Sequence, residues 1–179
     1  MTLTLIGYRA TGKTTLASLL AQRLGWDWID ADVQIERRAG KSIARIFAED
    51  GEPAFRDLEA QVTAELCRSE RLVLAAGGGA VLRAENRRAM REAGTVVWLK
   101  ASPETIQARM TGDDTTAGRR PNLTSQGGLA EIVDLLARRE AIYRETADFE
   151  LDTDLKSPEE LADAILDRLR TKPGAGELA

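Results

Sequence analysis

The stretch Gly7-Tyr8-Arg9-Ala10-Thr11-Gly12-Lys13-Thr14 decides the fold, because it follows the pattern G-x-x-x-x-G-K-[ST] of a phosphate-binding loop. A strand pattern from Thr2 to Ile6 precedes it, and leucines at helical spacing from Lys13 to Leu24 follow it. In this setting glycines let backbone N–H groups converge on phosphate oxygens, and the helix N-terminus adds further donors. We therefore predict a nucleoside triphosphate site in which Lys13 reaches the outer phosphates and Thr14 ligates Mg²⁺.

Short apolar strand patterns alternate with amphipathic helix patterns about five times along the chain. The predicted strands cover residues 2–6, 26–30, 72–75, 95–99 and 149–152, and the predicted helices cover 13–24, 32–39, 42–48, 53–68, 84–93, a helix opening at 102–104, 129–143 and 157–169. This alternation predicts an α/β fold of the P-loop NTPase type, with three α/β/α layers and a mostly parallel five-stranded sheet. Ligands in such folds bind at the carboxyl ends of the strands. We therefore expect the chemistry just after Ile6, Ile29 and Ala76, and in the segment 111–128.

The 179 residues predict a single P-loop domain over residues 1–170. Residues 111–128 lose helical and strand periodicity and are rich in Thr, Asp, Gly, Asn and Ser, which predicts a mobile lid. Residues 171–179 contain Pro173 and two glycines, and we expect a flexible tail there.

Composition excludes several functional classes. The chain has 0 histidines, which excludes His-based catalytic triads and His-bound metals, and its single cysteine, Cys67, is expected to be a packing thiol. The net charge of −4 argues against nucleic-acid binding. The longest apolar run, Leu72 to Leu82, is too short to span a membrane, and Met1 to Ile6 lacks the basic region of a secretory signal. We expect a cytoplasmic protein without a membrane partner.

Two further clusters follow predicted strands. Asp30 and Asp32 are two residues apart, so in an extended segment both carboxylates point the same way. One carboxylate can hold the water shell of a metal ion while the other meets an acceptor hydroxyl, or either one caps the following helix. Gly77-Gly78-Gly79 follows a buried strand, and three successive glycines favour close ligand approach over a plain turn.

The landmarks in this order resemble the shikimate kinase family, and the resemblance runs from about Met1 to Leu169. It rests on the phosphate-binding loop, Asp30-x-Asp32, Phe55-Arg56, the triple glycine, Arg120-Pro121, and Arg139 four residues before Tyr143. The resemblance implies transfer of the ATP γ-phosphoryl group to the 3-hydroxyl of shikimate, with Mg²⁺, in aromatic amino-acid biosynthesis. It also implies two small-molecule partners, ATP and shikimate, and we expect a monomer.

The resemblance assigns roles to matching positions. Lys13, Asp32 and Arg120 would be catalytic, with Asp32 orienting or deprotonating the attacking hydroxyl and Arg120 moving in with the lid to neutralise charge. Residues implied for ATP are Ala10, Thr11, Gly12, Lys13, Thr14, Thr15, Arg109, Arg120 and Pro158, the last with Arg109 beside the adenine. Residues implied for shikimate are Asp32, Arg56, Gly77, Gly78, Gly79 and Arg139, with the two arginines on its carboxylate. Residues implied for the metal are Thr14 and, through water, Asp30.

Plainer interpretations stand beside these roles. Arg56 would pair with Glu52 or Glu59 on an exposed surface, and Arg139 with Glu140 or Asp134 on a solvated helix face.

The chain also departs from the family pattern. Ala10 stands where the family usually has glycine, Ala76 replaces a threonine, Asn122 replaces a leucine, and Arg119 adjoins Arg120.

Two other functions use the same motifs. One is a P-loop kinase for another acceptor, such as gluconate or a nucleoside monophosphate. The other is a nucleotide-binding regulator that resembles the family without its activity.

Overall fold

A computed structural model of the chain describes residues 1–112 and 128–171. The five strands form one sheet: β1 (Thr2–Ile6), β2 (Asp27–Asp30), β3 (Leu72–Ala75), β4 (Gly94–Lys100) and β5 (Phe149–Asp152). Their order is β2-β3-β1-β4-β5, and each neighbouring pair is parallel. The predicted α/β fold and five-stranded sheet are confirmed, and among the described residues the sheet is parallel throughout.

The helices connect successive strands. They are α1 (Lys13–Leu24), α2 (Ala31–Ala39), α3 (Ile43–Glu49), α4 (Gly51–Leu66), α5 (Ala84–Ala93), α6 (Pro103–Thr111), α7 (Gly128–Thr146) and α8 (Pro158–Thr171), with a 3₁₀ turn over Ala80–Leu82. Several ends differ from the sequence prediction by one to three residues: α4, for example, begins and ends two residues earlier, and α7 extends three residues further. A capping box opens α8, because Ser157 and Glu160 exchange side-chain-to-backbone hydrogen bonds.

The sheet is covered on both faces, which gives the three predicted layers. On one face Leu5 and Leu99 pack against α1 and α8. On the other face Ile6 and Trp98 pack against α5 and α7, while α2, α3 and α4 cover β2 and β3. Because these side chains are almost fully buried, the strands are fixed in register and their carboxyl ends meet at one edge.

Gly94 directly follows the last residue of α5 and is also the first residue of β4. A Cβ at this position would clash with the carbonyl oxygen of Thr2 in the neighbouring strand. The residue is therefore a glycine because β1 and β4 approach closely there, which the sequence pattern alone does not reveal.

Several other predictions concern the ends of the described ranges. The predicted lid falls outside them except for Thr111, Gly112 and Gly128, and the predicted tail falls outside them except for Thr171. Cys67 is half-buried beside the core, and burial raises the pKa of its thiol to about 11, as expected of a packing residue. None of the helices in ranges 1–112 and 128–171 has the length and apolar character needed to cross a membrane.

Candidate active site

The phosphate-binding loop (residues 7–14) lies between the end of β1 and the start of α1. Gly7 is held so close to β4 that a Cβ would clash with the carbonyl oxygen of Leu99. Gly12 precedes α1 with a φ of 88°, in the left-handed region that favours glycine. The Thr11 hydroxyl donates to the Tyr8 carbonyl oxygen at 2.8 Å and closes the turn. The two glycines of the motif are therefore required by the backbone, for two different reasons.

Lys13 is buried within this loop. Its Nζ donates to the carbonyl oxygens of Gly7 at 3.0 Å and Tyr8 at 2.7 Å. Lys13, the residue predicted to contact the phosphates, therefore holds its positive charge against the curved backbone that would surround them. Ala10, the position where the family usually has glycine, has a φ of 61°, so an alanine here holds a left-handed conformation.

The Thr14 hydroxyl donates to Asp30 Oδ2 at 2.6 Å, which joins the start of α1 to the end of β2. The other oxygen of the same carboxylate, Oδ1, accepts from the Asp32 backbone N–H at 2.9 Å and caps α2. The interpretation of Asp30 as a helix cap is therefore confirmed, and its hydrogen bond to Thr14 brings the same carboxylate beside the phosphate-binding loop, while its role towards a metal ion stays a prediction. Thr15, the next residue of α1, is exposed.

The triple-glycine loop (Gly77–Gly79) is packed against side chains from two helices. A Cβ at Gly77 would lie 2.7 Å from Asp32 Oδ1, and one at Gly79 would lie 2.5 Å from Arg56 Nη1. A Cβ at Gly78 would lie 3.4 Å from the backbone nitrogen of Arg9 in the phosphate-binding loop. The missing side chains therefore let this loop contact a carboxylate, a guanidinium group and the phosphate-binding loop at once.

Arg56 lies on α4 with its side chain 13% exposed. Its Nη1 donates to Glu59 Oε2 at 2.8 Å, and its Nη2 donates to Glu52 Oε1 at 3.1 Å. The plainer interpretation named both partners correctly, and the Glu52 side chain is 60% exposed as it expected, but it was wrong for Glu59, whose side chain is only 2% exposed. Burial raises the pKa of Glu59, and the Arg56 charge opposes that shift.

Arg139 lies on the buried face of α7, where its Nη1 donates to the Gly78 carbonyl oxygen at 3.3 Å. The plainer interpretation of Arg139 is wrong. Glu140 pairs instead with Arg144, and Asp134 with Arg138, each across one helical turn.

Arg109 and Pro158 lie on either side of the loop after β5. Arg109 Nη2 donates to the Thr153 carbonyl oxygen at 2.7 Å, and its Nη1 donates to the Ala10 carbonyl oxygen at 3.4 Å. Pro158 is exposed at the first position of α8. Arg109 therefore joins the phosphate-binding loop to the segment that leads to Pro158, at the end of the site implied for adenine.

The structure adds four residues to which the sequence analysis gave no role in the site: Glu59, Tyr143, Arg9 and Glu131. Glu59 holds Arg56 at 2.8 Å, and the Tyr143 hydroxyl donates to the Gly78 carbonyl oxygen at 2.6 Å. Arg9 Nη2 donates to Glu131 Oε1 at 2.9 Å, with side chains 7% and 0% exposed, so the phosphate-binding loop is tied to α7. The spacing of Arg56 and Glu59 in one helix was a usable signal, whereas Arg9 and Glu131 are 122 residues apart.

Arg120, Arg119 and Asn122 lie outside the described residues, so the implied contact between Arg120 and the phosphates remains a prediction. Within ranges 1–112 and 128–171, no group of three or more His, Cys, Asp or Glu side chains could by itself hold a metal ion. The neighbouring Thr14 hydroxyl and Asp30 carboxylate do fit Mg²⁺, which binds through few protein oxygens together with waters and substrate phosphates.

Comparisons with known proteins agree with this geometry. The family model for shikimate kinase matches residues 9–170. A shikimate kinase of Rhodopirellula baltica is 43% identical over 175 residues, which cover 98% of this chain and 94% of that protein. One from Oleidesulfovibrio alaskensis is 46% identical over 148 residues, which cover 83% and 86%. The solved structure of a shikimate kinase from Acinetobacter baumannii in complex with shikimate is 36% identical, with a TM-score of 0.87 over 94% of this chain and 92% of that one.

Proposed function

The chain belongs to the shikimate kinase family, and we propose that it transfers the γ-phosphoryl group of ATP to the 3-hydroxyl of shikimate, giving shikimate 3-phosphate and ADP. The proposal rests on one observation above the others. The triple-glycine loop lies against Asp32, Arg56 and the phosphate-binding loop, so the residues that we assign to the phosphates and to the acid lie at one sheet edge. Phosphoryl transfer depends mainly on such positioning and on charge neutralisation.

The acid end of the site is formed by two guanidinium groups and a backbone. Arg56 and Arg139 approach the triple-glycine loop from α4 and α7, at Gly79 and Gly78 respectively. Arginine binds planar carboxylates through paired N–H donors, and a shielded pair is stronger than a surface contact. We assign these two side chains, with the Gly78 backbone, to the carboxylate of shikimate.

The reacting end lies between Asp32 and Lys13. Asp32 lies in the first turn of α2, beside Gly77. We assign Asp32 to the hydroxyl groups of shikimate, where it orients the attacking oxygen or accepts its proton. Lys13 and the backbone N–H groups of residues 10–15 hold the phosphates, and Arg109 with Pro158 borders the adenine.

We propose Mg²⁺ as the cofactor, held with ATP by Thr14 and, through water, by Asp30. When bound, the ion offsets negative charge on the β- and γ-phosphates. The residues of this chain have a separate task, because the 2.6 Å hydrogen bond between Thr14 and Asp30 fixes both oxygens beside the phosphate-binding loop. Arg120 is proposed to neutralise charge on the transferred group. We further propose that the enzyme is a cytoplasmic monomer, to be checked by sedimentation and cell fractionation.

A coupled ADP-release assay tests the function. With ATP and Mg²⁺ present, we expect ADP release to rise many-fold when shikimate is added and to stay near background with gluconate or a nucleoside monophosphate. ADP release that shikimate does not stimulate would refute the proposed activity and favour a nucleotide-binding regulator. Faster release with gluconate than with shikimate would refute the assigned acceptor alone. Omitting Mg²⁺ and adding a chelator tests the cofactor separately.

A further inference from the structure

The Gly78 carbonyl oxygen accepts hydrogen bonds from two side chains of α7. The Tyr143 hydroxyl donates to it at 2.6 Å, and Arg139 Nη1 donates to it at 3.3 Å. A carbonyl oxygen has two lone pairs, so both donors fit, but the shorter hydrogen bond is the stronger one. The two side chains come from positions one helical turn apart, so they reach the triple-glycine loop from the same face of α7.

Tyr143 is held rigidly. The residue is completely buried, and its ring stacks on Trp98 with the ring centres 5.5 Å apart and the planes 20° apart. Burial raises the pKa of Tyr143 to about 12, so the hydroxyl keeps its proton at neutral pH and remains a donor. Arg139 has a longer side chain with five N–H donors. Its hydrogen bond to the Gly78 carbonyl oxygen, at 3.3 Å, is the weaker of the two.

We propose that Tyr143 is a positioning residue for the acid end of the site, because it holds the Gly78 carbonyl and so leaves the Arg139 guanidinium free to turn to the substrate carboxylate. This inference rests on the proposed function, in which Arg139 binds shikimate. When Arg139 turns to the substrate, the Gly78 carbonyl oxygen still accepts the hydrogen bond from the Tyr143 hydroxyl. Without the hydroxyl, Arg139 is the side chain among the described residues that satisfies this oxygen, and binding the acid then competes with that contact.

The Tyr143→Phe variant tests the inference, since it removes one oxygen atom and keeps the stacked ring. We expect the KM for shikimate, and the Kd from calorimetry, to rise about five- to tenfold, because an unsatisfied, partly buried acceptor weakens binding by about that factor. The KM for ATP and the kcat should change less than twofold. A role confined to folding would lower the thermal midpoint without separating the two KM values.

Thr146→Val is the matched control. The Thr146 hydroxyl lies on the same helix, is equally buried, and donates over the same 2.6 Å, but to the Ile142 carbonyl oxygen of its own helix. We expect this variant to lose a similar amount of thermal stability and to keep the wild-type KM for shikimate. A KM rise in Thr146→Val equal to that in Tyr143→Phe would overturn the inference, because loss of any buried hydroxyl on α7 would then suffice.

A double-mutant cycle with Arg139→Ala completes the test. We expect Arg139→Ala to raise the KM for shikimate, and Tyr143→Phe to add less than twofold in that background, because no guanidinium group remains to be released. Full multiplication of the two effects, or an effect of Arg139→Ala without one of Tyr143→Phe, would overturn the inference and leave the proposed function standing. An unchanged KM in Arg139→Ala would overturn the assigned role of Arg139 and this inference with it.

Discussion

Replacing Ala10 with glycine tests the conformation of the phosphate-binding loop directly. Ala10 has a φ of 61°, and the left-handed region costs a residue with a Cβ about 1–2 kcal/mol. Glycine removes this cost, but it also gives the unfolded chain more freedom, which costs about 0.4–1 kcal/mol. We therefore expect Ala10→Gly to raise the free energy of unfolding by about 0.5–1 kcal/mol, the difference between the two effects.

In a regular helix, the same alanine-to-glycine substitution is expected to change the free energy of unfolding in the opposite direction. Ala141 is exposed in the middle of α7, and Ala141→Gly should lower the free energy of unfolding by about 0.5–1 kcal/mol. Urea unfolding of both variants, followed by circular dichroism without nucleotide, measures the two changes side by side. A loss of stability in Ala10→Gly that equals the loss in Ala141→Gly would show that residue 10 does not adopt the left-handed conformation.

The same variant separates the strain of the loop from its affinity for nucleotide. If Ala10 keeps its conformation when ATP binds, the strain is present in the free and bound forms and does not contribute to binding. We then expect the Kd for ATP in Ala10→Gly to remain within twofold of the wild-type value, measured by calorimetry. A larger change in either direction would mean that the backbone at residue 10 changes when nucleotide binds.

Three further substitutions test other parts of the site. Lys13→Ala should lower kcat at least 100-fold, since charge neutralisation supplies much of the rate. The far-UV circular dichroism spectrum should stay unchanged. A kcat equal to that of the wild type would contradict the role assigned to Lys13. Glu131→Ala leaves the Arg9 guanidinium buried without its partner and should lower the free energy of unfolding, measured in urea, by about 3–5 kcal/mol. The double variant Arg9→Met with Glu131→Leu should lower it far less. Equal decreases in the two variants would contradict a buried ion pair. Burial raises the pKa of Glu59, so the stability that its protonated form contributes is fully present below the ordinary pKa and is lost as the pH rises through the raised one. The free energy of unfolding of Glu59→Gln should therefore increase relative to that of the wild type as the pH rises from the ordinary carboxyl pKa to the raised one. A difference in free energy of unfolding that stays constant across the pH series would refute the raised pKa.

The parts of this molecule that the sequence predicts well are those fixed by local rules. The phosphate-binding loop follows from its own glycines and from the strand and helix beside it, and the five strands follow from short β-rich segments between helical ones. The carboxyl-end rule for parallel sheets then brings Asp30, Asp32 and the triple glycine to one edge before any coordinates are known. Asp30 shows the limit of the rule, because the spacing could not reveal that one carboxylate both caps α2 and binds Thr14.

The parts that the sequence did not predict depend on which way a helix faces. Spacing in α7 offered Arg139 the partners Glu140 and Asp134, but these acidic residues pair with neighbours on the exposed side. Packing of Tyr143 against Trp98 turns the other side of α7 towards the triple-glycine loop. The orientation comes from contact between α7 and β4, which are distant in the sequence, so local spacing could not choose between the two faces.

The buried glutamates explain how such a site can exist in a folded protein. A guanidinium group that is buried alone loses its hydration and destabilises the fold, and a mobile one at the surface loses side-chain freedom when a ligand arrives. Glu59 offsets the lost hydration of Arg56, and Glu131 does the same for Arg9. Because the glutamates also fix these arginine side chains, less side-chain freedom remains to be lost when a ligand binds. Buried ion pairs of this kind add little net stability, so their benefit lies in geometry. Arg56 is ordered when the chain folds, so the carboxylate of the proposed substrate would meet a guanidinium group that is already in place.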